Sequence, residues 1–113
     1  MAIVEITARL EAEIDERFKA RSIEVLEHLK SLELHPKKGK ALGHVGGIAI
    51  RELRFEGYRF YFITDAHRIR FYPASELTDL LLRFVRMSDK KRQQRTIDEI
   101  RAILRTIGEN GFG

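Results

Sequence analysis

Two arginines, Arg54 and Arg59, stand on either side of Phe55-Glu56-Gly57-Tyr58 in the stretch IRELRFEGYRFYFI, residues 50–63. Two apolar, β-prone runs flank Glu56-Gly57, and an acidic residue followed by glycine suits a two-residue hairpin turn. With that turn Phe55 lies opposite Tyr58 and Arg54 opposite Arg59, and like charges directly across a strand pair repel. Parity assigns the faces. Leu53, Phe55, Tyr58, Phe60 and Phe62 form a core face, with Arg51 as an outlier near the edge. Ile50, Glu52, Arg54, Arg59, Tyr61 and Ile63 form the other. Two guanidinium groups, a carboxylate and a phenol on one face make a set that binds phosphate. The competing reading is two Arg–Glu cross-strand pairs on a solvated face, using Glu52 and Glu56.

Further cations lie elsewhere in the chain. Lys37, Lys38 and Lys40 sit in the glycine-rich stretch HPKKGKALGHVGG (35–47), read as a mobile basic loop. Arg83 and Arg86 interrupt the apolar run LLLRFVRM (80–87), and Lys90, Lys91 and Arg92 follow in SDKKRQQR (88–95). Cations just before a helix oppose its dipole, so this stretch is either loop or the seat of a bound anion. The charge map agrees. Residues 1–36 carry 5 basic and 8 acidic side chains, residues 37–70 carry 8 and 3, and residues 83–105 again 8 and 3. Two basic blocks on a mildly acidic body point to a polyanion partner, with a plain solvated surface as the alternative.

Other chemistries find no support. There is no cysteine, and the four histidines (28, 35, 44, 67) have no metal-ligand spacing. No Gly-x-Ser-x-Gly, Rossmann fingerprint or P-loop is present. An enzyme built from these residues would rely on Arg, Lys, Tyr and a Glu. That set can stabilise a pentavalent phosphorus and activate a ribose 2′-OH against its own phosphate, with no metal and no cofactor. No apolar run reaches membrane length and the N-terminus lacks a signal pattern, so the expectation is a soluble cytoplasmic protein without membrane contact.

The 113 residues, 43% apolar with net charge +4, allow one domain spanning 1–113. A short strand at 3–7 precedes a helix pattern from about Ala8 to Leu34, which is one long helix or two with a break near Ala20-Arg21-Ser22. Strands are expected at Ile48–Phe55, Tyr58–Asp65, Arg68–Tyr72 and Leu80–Met87. A final helix runs from about Thr96 to Ile107, opened by the capping box TIDE. The expected fold is α+β: an antiparallel twisted sheet of four to five strands, N-terminal helices on one face, a C-terminal helix, and an open second face.

Glu52-Leu53-Arg54, then Tyr58-Arg59 with Tyr61, then Phe84-Val85-Arg86 before a terminal helix resemble, in that order, the RelE/ParE toxin superfamily. The HigB-like branch is nearest, with its ELR strand, YR.Y strand and strand ending HGFVKK. The likeness covers about residues 8–105. It implies the toxin of a type II toxin–antitoxin pair, a ribosome-dependent mRNA endoribonuclease that inhibits translation. Its implied partners are a cognate antitoxin, the ribosome and mRNA, in a homodimer or a toxin–antitoxin hetero-oligomer. By position, Arg54 and Arg59 would hold the scissile phosphate, Arg83 and Arg86 would contact backbone or leaving group, and Tyr61 would stack on a base. Lys37, Lys38, Lys40, Lys90, Lys91 and Arg92 would bind RNA. Leu82 stands at the family's histidine position, Met87 replaces its second lysine, and Arg68–Asp79 is longer than its usual link. The superfamily also holds gyrase-poisoning members, so a gyrase-targeting or inactive RNA- or protein-binding member is the alternative.

Overall fold

The computed structural model describes all 113 residues. Strand β1 (Ile3–Ile6) leads into α1 (Ala8–Phe18), capped by Thr7, whose hydroxyl accepts the Leu10 N–H. A 3-10 turn at Lys19–Arg21 separates α1 from α2 (Ser22–Lys30), so the long apolar pattern is two helices, broken where Lys19 takes φ 51°. Strands β2 (Lys40–Val45), β3 (Ile48–Phe55) and β4 (Tyr58–Asp65) follow, then α3 (Ala66–Phe71), β5 (Leu81–Ser88) and α4 (Gln93–Thr106).

The α+β expectation holds, with five strands in the order β1-β5-β4-β3-β2. Strands β2 to β5 are antiparallel neighbours, but β1 joins β5 in parallel, so the sheet is mixed. The helices α1 and α2 supply the crossover length that a parallel partner would need were it next in sequence, and they lie over one face. Under them Phe60, Phe62, Phe84, Leu82, Leu53 and Met87 pack against Leu10, Ile14, Val25 and Leu29.

Four expectations are corrected. The second face is covered, not open: Ile97, Ile100 and Leu104 of α4, with Phe112, close over Ile50, Tyr61, Ile63 and Val85. The segment read as a glycine loop is mostly β2, an edge strand whose register slips between Ala41 and Gly43. The strand expected at Arg68–Tyr72 is helix α3, because Asp65 caps it by accepting the Arg68 N–H, and Ile69 turns into the core. Helix α4 begins at Gln93, three residues before the capping box. Asp89 makes the entry turn by accepting the Arg92 N–H, and Thr96 is buried within the helix.

Candidate nucleic-acid interface

The β3–β4 register is the one that the turn chemistry requires: Phe55 pairs with Tyr58, Arg54 with Arg59, Leu53 with Phe60 and Glu52 with Tyr61. Glu56 (φ 51°) and Gly57 (φ 136°) are the two loop residues, and both have positive φ, as a primed hairpin turn demands. Directly opposed residues share a face, so Arg54, Arg59, Glu52 and Tyr61 all lie on the α4 side.

Strand β5 adds to this face through a bulge. Tyr61 pairs with Arg86 and Phe62 with Phe84, so Val85 is the extra residue. Residues 83 and 86, three apart, would sit on opposite faces of a regular strand. The bulge puts Arg83 (opposite Ile63), Val85 and Arg86 all on the α4 side. Leu82 faces the α1–α2 core, where a histidine would not reach the arginines.

Arg59 is 7% exposed, although it carries a formal charge. Its Nη1 donates to the Gly57 carbonyl at 3.0 Å, while its Nε–H is buried with no partner. Arg54 is exposed and donates from Nε to Glu52 Oε1 at 3.3 Å. Glu52 is 1% exposed, and its second oxygen accepts from Gln93 Nε2 of α4 at 3.4 Å. The expected Glu56 partnership fails, because Glu56 reaches across to Arg21 between α1 and α2. His28 ties the hairpin to α2 by donating from Nε2 to the Arg54 carbonyl at 2.9 Å.

Tyr61 is fully buried beneath α4, so it has no free ring face for a base, contrary to the stacking role. Its hydroxyl lies 2.8 Å from Ser88 Oγ. Ser88 spends its own proton on the Asp89 carbonyl, so the phenol is the donor. Burial pushes the Tyr61 phenol above its ordinary range, opposed by the Ser88 bond and by Arg59 and Arg54, with Glu52 adding to the rise. The phenol is therefore neutral at pH 7 and cannot serve as a base. The unfolded chain releases this proton first, at about pH 10. The contribution of Tyr61 to stability is thus whole below that pH and is lost as pH rises through the higher folded value. Urea midpoints of the parent should fall more steeply above pH 10 than those of Tyr61→Phe; parallel profiles would disprove the linkage.

Arg83 and Arg86 stand apart from the Arg54–Arg59 pair, for different reasons. Arg83 lies five residues along β5 from Ser88, the partner of Arg59, or roughly 17 Å at the usual strand rise. It faces Glu5, with Nε 2.9 Å from a carboxylate oxygen but off the hydrogen-bonding direction, and donates from Nη1 to the Glu109 carbonyl. Arg86, 5% exposed, donates to Glu99 Oε1 at 2.9 Å, to the Val85 carbonyl at 2.7 Å and to the Phe112 carbonyl at 3.4 Å. Its guanidinium lies over the Phe112 ring, 5.2 Å from the centroid. Arg86 is a clamp that fastens α4 and the C-terminal turn to the sheet.

The lysines gather at the hairpin end. Lys40 is opposite Glu52 in β2, hence on the arginine face. Lys37 and Lys38 precede it in an exposed turn held by Arg51, whose Nη2 donates to the Lys37 and Gly39 carbonyls at 3.0 and 3.1 Å. That turn is pinned rather than a free arm. Lys90, Lys91 and Arg92 form the exposed link from Ser88 to α4, at the same end of the sheet. The two basic blocks therefore meet around Arg54 and Arg59. Glu52, Gln93 and Ser88 are the polar members that residue type alone did not select. Parity places Glu52 on this face, as the carboxylate beside the two arginines and as their ion-pair partner in the competing reading.

No helix is long and apolar enough to cross a membrane, and no group of three or more His, Cys, Asp or Glu side chains is placed to hold a metal ion. Comparison with known proteins returns nothing: no family model, curated protein or solved structure matches this chain.

Proposed function

We propose that the chain is an RNA-binding toxin of a type II toxin–antitoxin pair, which cleaves mRNA on the ribosome without a metal. The observation that carries this reading is Arg59: a buried guanidinium with an unpartnered Nε–H, set opposite a second arginine at the end of the sheet where the exposed lysines lie. A buried cation left short of partners is costly, and a phosphate would satisfy it. Arg54 and Arg59 receive the scissile phosphate, and the lysine groups hold the backbone on either side. Glu52 takes the proton of the 2′-OH as that oxygen attacks the adjacent phosphorus. The 5′ oxygen leaves with its electron pair and is protonated by water. Gln93 closes over Glu52, which explains a need for the ribosome: docking has to lift the first turn of α4 before the carboxylate meets RNA. A cognate antitoxin would compete for the same basic end.

The burial of Tyr61 and Arg86 under α4 favours a second reading, a member that binds RNA or a protein such as gyrase without cutting. Primer extension on an mRNA under translation distinguishes them. Cuts confined to the ribosomal A site, and none in naked RNA, are the expected result. Toxicity that persists without any cut would overturn the nuclease reading, and gyrase-dependent DNA breaks would replace it.

A further inference from the structure

A second arginine cluster lies beyond the hairpin site, at the far edge of β5. Strand β1 stops opposite Phe84, so Arg86–Ser88 run along an edge with no strand beside it. A cleft of about 270 Å³ opens there between α1 and the first turns of α4. Arg9 and Arg17 line it from α1, Arg92 and Arg95 from the start of α4, and Arg86 from its floor. Arg86 is engaged by Glu99, and Arg17 lies 5.6 Å from the Tyr58 ring centroid. The side chains of Arg9, Arg92 and Arg95 have no hydrogen bond or ion pair.

Three carboxylates also line the cleft. Glu99 is held by Arg86, so Glu13 and Asp89, the latter accepting only the neutral Arg92 N–H, face the four guanidinium groups of Arg9, Arg17, Arg92 and Arg95, an excess of two positive charges. The apolar lining is only Tyr58 and Met87, so the cleft offers little for a base and much for a charged oxygen. Guanidinium forks from two helices match the bidentate geometry of phosphate. Ser88 belongs both to the cleft lining and to the register pair with Arg59, so the cleft and the hairpin site are contiguous.

We propose that this cleft is a second phosphate subsite, which takes a neighbouring backbone phosphodiester of the RNA strand held at Arg59. The inference rests on the RNA-binding reading and adds α1 to the interface. It is tested with a short single-stranded RNA carrying 2′-O-methyl groups, so that nothing is cut, and separately with inorganic phosphate. The double variant Arg9→Gln/Arg95→Gln alters two exposed side chains and should keep the parent's unfolding midpoint. It should bind the RNA about tenfold or more weakly. Its plot of log K against log salt should be shallower by about 0.7, the share of one phosphate on a single strand. Equal affinity and slope in parent and variant would overturn the subsite while leaving RNA binding at the hairpin intact. A parent that binds no RNA at all would overturn RNA as the ligand of both sites. In that case, phosphate that shifts the Arg9, Arg92 and Arg95 Nε–H resonances in a saturable way marks an inorganic-anion site, and unmoved resonances remove the site altogether.

Discussion

Arg59→Ala should slow cleavage of translated mRNA by roughly 10²-fold or more, the scale on which a single preorganised donor acts in a transition state. The expectation follows from how Arg59 is held. Its side chain is buried, one Nη donates to the Gly57 carbonyl of its own turn, and its Nε–H is unspent. Folding has already met the cost of desolvating this guanidinium, and its Nε–H, shut off from solvent in the free protein, meets the charge on the phosphoryl oxygens once docking opens the site. Arg54, exposed and paired with Glu52, has more to rearrange, and Arg54→Ala should be the milder change. Arg59→Lys should recover only part of the activity, because an ammonium cannot make the two-point contact of a guanidinium. Stability should move by no more than about 1 kcal/mol, since lost stem packing is offset by relief of like-charge repulsion across the pair. Parent-rate cleavage by Arg59→Ala would refute the site. So would a drop in activity that merely tracks a lowered urea midpoint.

The hairpin was legible because its signals are local. Glu56-Gly57 sets the turn, the turn sets the register, and the register puts Arg54, Arg59, Glu52 and Tyr61 on one side. What escaped depends on contacts distant in sequence. Strand β2 is an edge strand with glycines at 43 and near its start, and it is ordered by pairing with β3, not by its own composition. Helix α3 has the alternation His-Arg-Ile-Arg-Phe of a strand, and only the Asp65 cap betrays it. The Val85 bulge leaves no mark in the residue types, yet it decides that Arg83 and Arg86 share a face.

The covered second face had a visible trace. Ile50, Ile63 and Val85 sit among the polar members of that face, and the terminal helix carries Ile97, Ile100 and Leu104 on one stripe. Apolar residues on both faces of β5 require a cover on both. Once α4 is laid there, the basic residues divide by depth. Arg54 and the lysines toward the hairpin end stay at the surface, where they can meet a polyanion, while Arg59 beside them is buried. Arg86, one strand away from Tyr61, is enclosed.

That enclosure makes Arg86 the arginine whose loss should cost most in stability. Arg86→Ala strips the donors from the Val85 and Phe112 carbonyls, the cation from the Phe112 ring and the partner from Glu99. A buried carbonyl left unsatisfied costs about 1–3 kcal/mol, and a sheltered cation–π contact about 1–2 kcal/mol. Glu99 is 44% exposed, so water can solvate its released charge, and the full penalty of a broken buried pair does not apply. The net loss should be about 2–4 kcal/mol, read from urea midpoints. Limited proteolysis should then cut within 107–113 well before the sheet unfolds, because Phe112 and the end of α4 are what the clamp holds. Glu99→Ala should cost less than Arg86→Ala, and Arg86→Met should restore the packing of the stem but not the tie to the C-terminal turn. The opposite pattern, an unchanged midpoint with RNA binding abolished, would return Arg86 to the RNA-contacting role that its place in the Phe84-Val85-Arg86 motif implied.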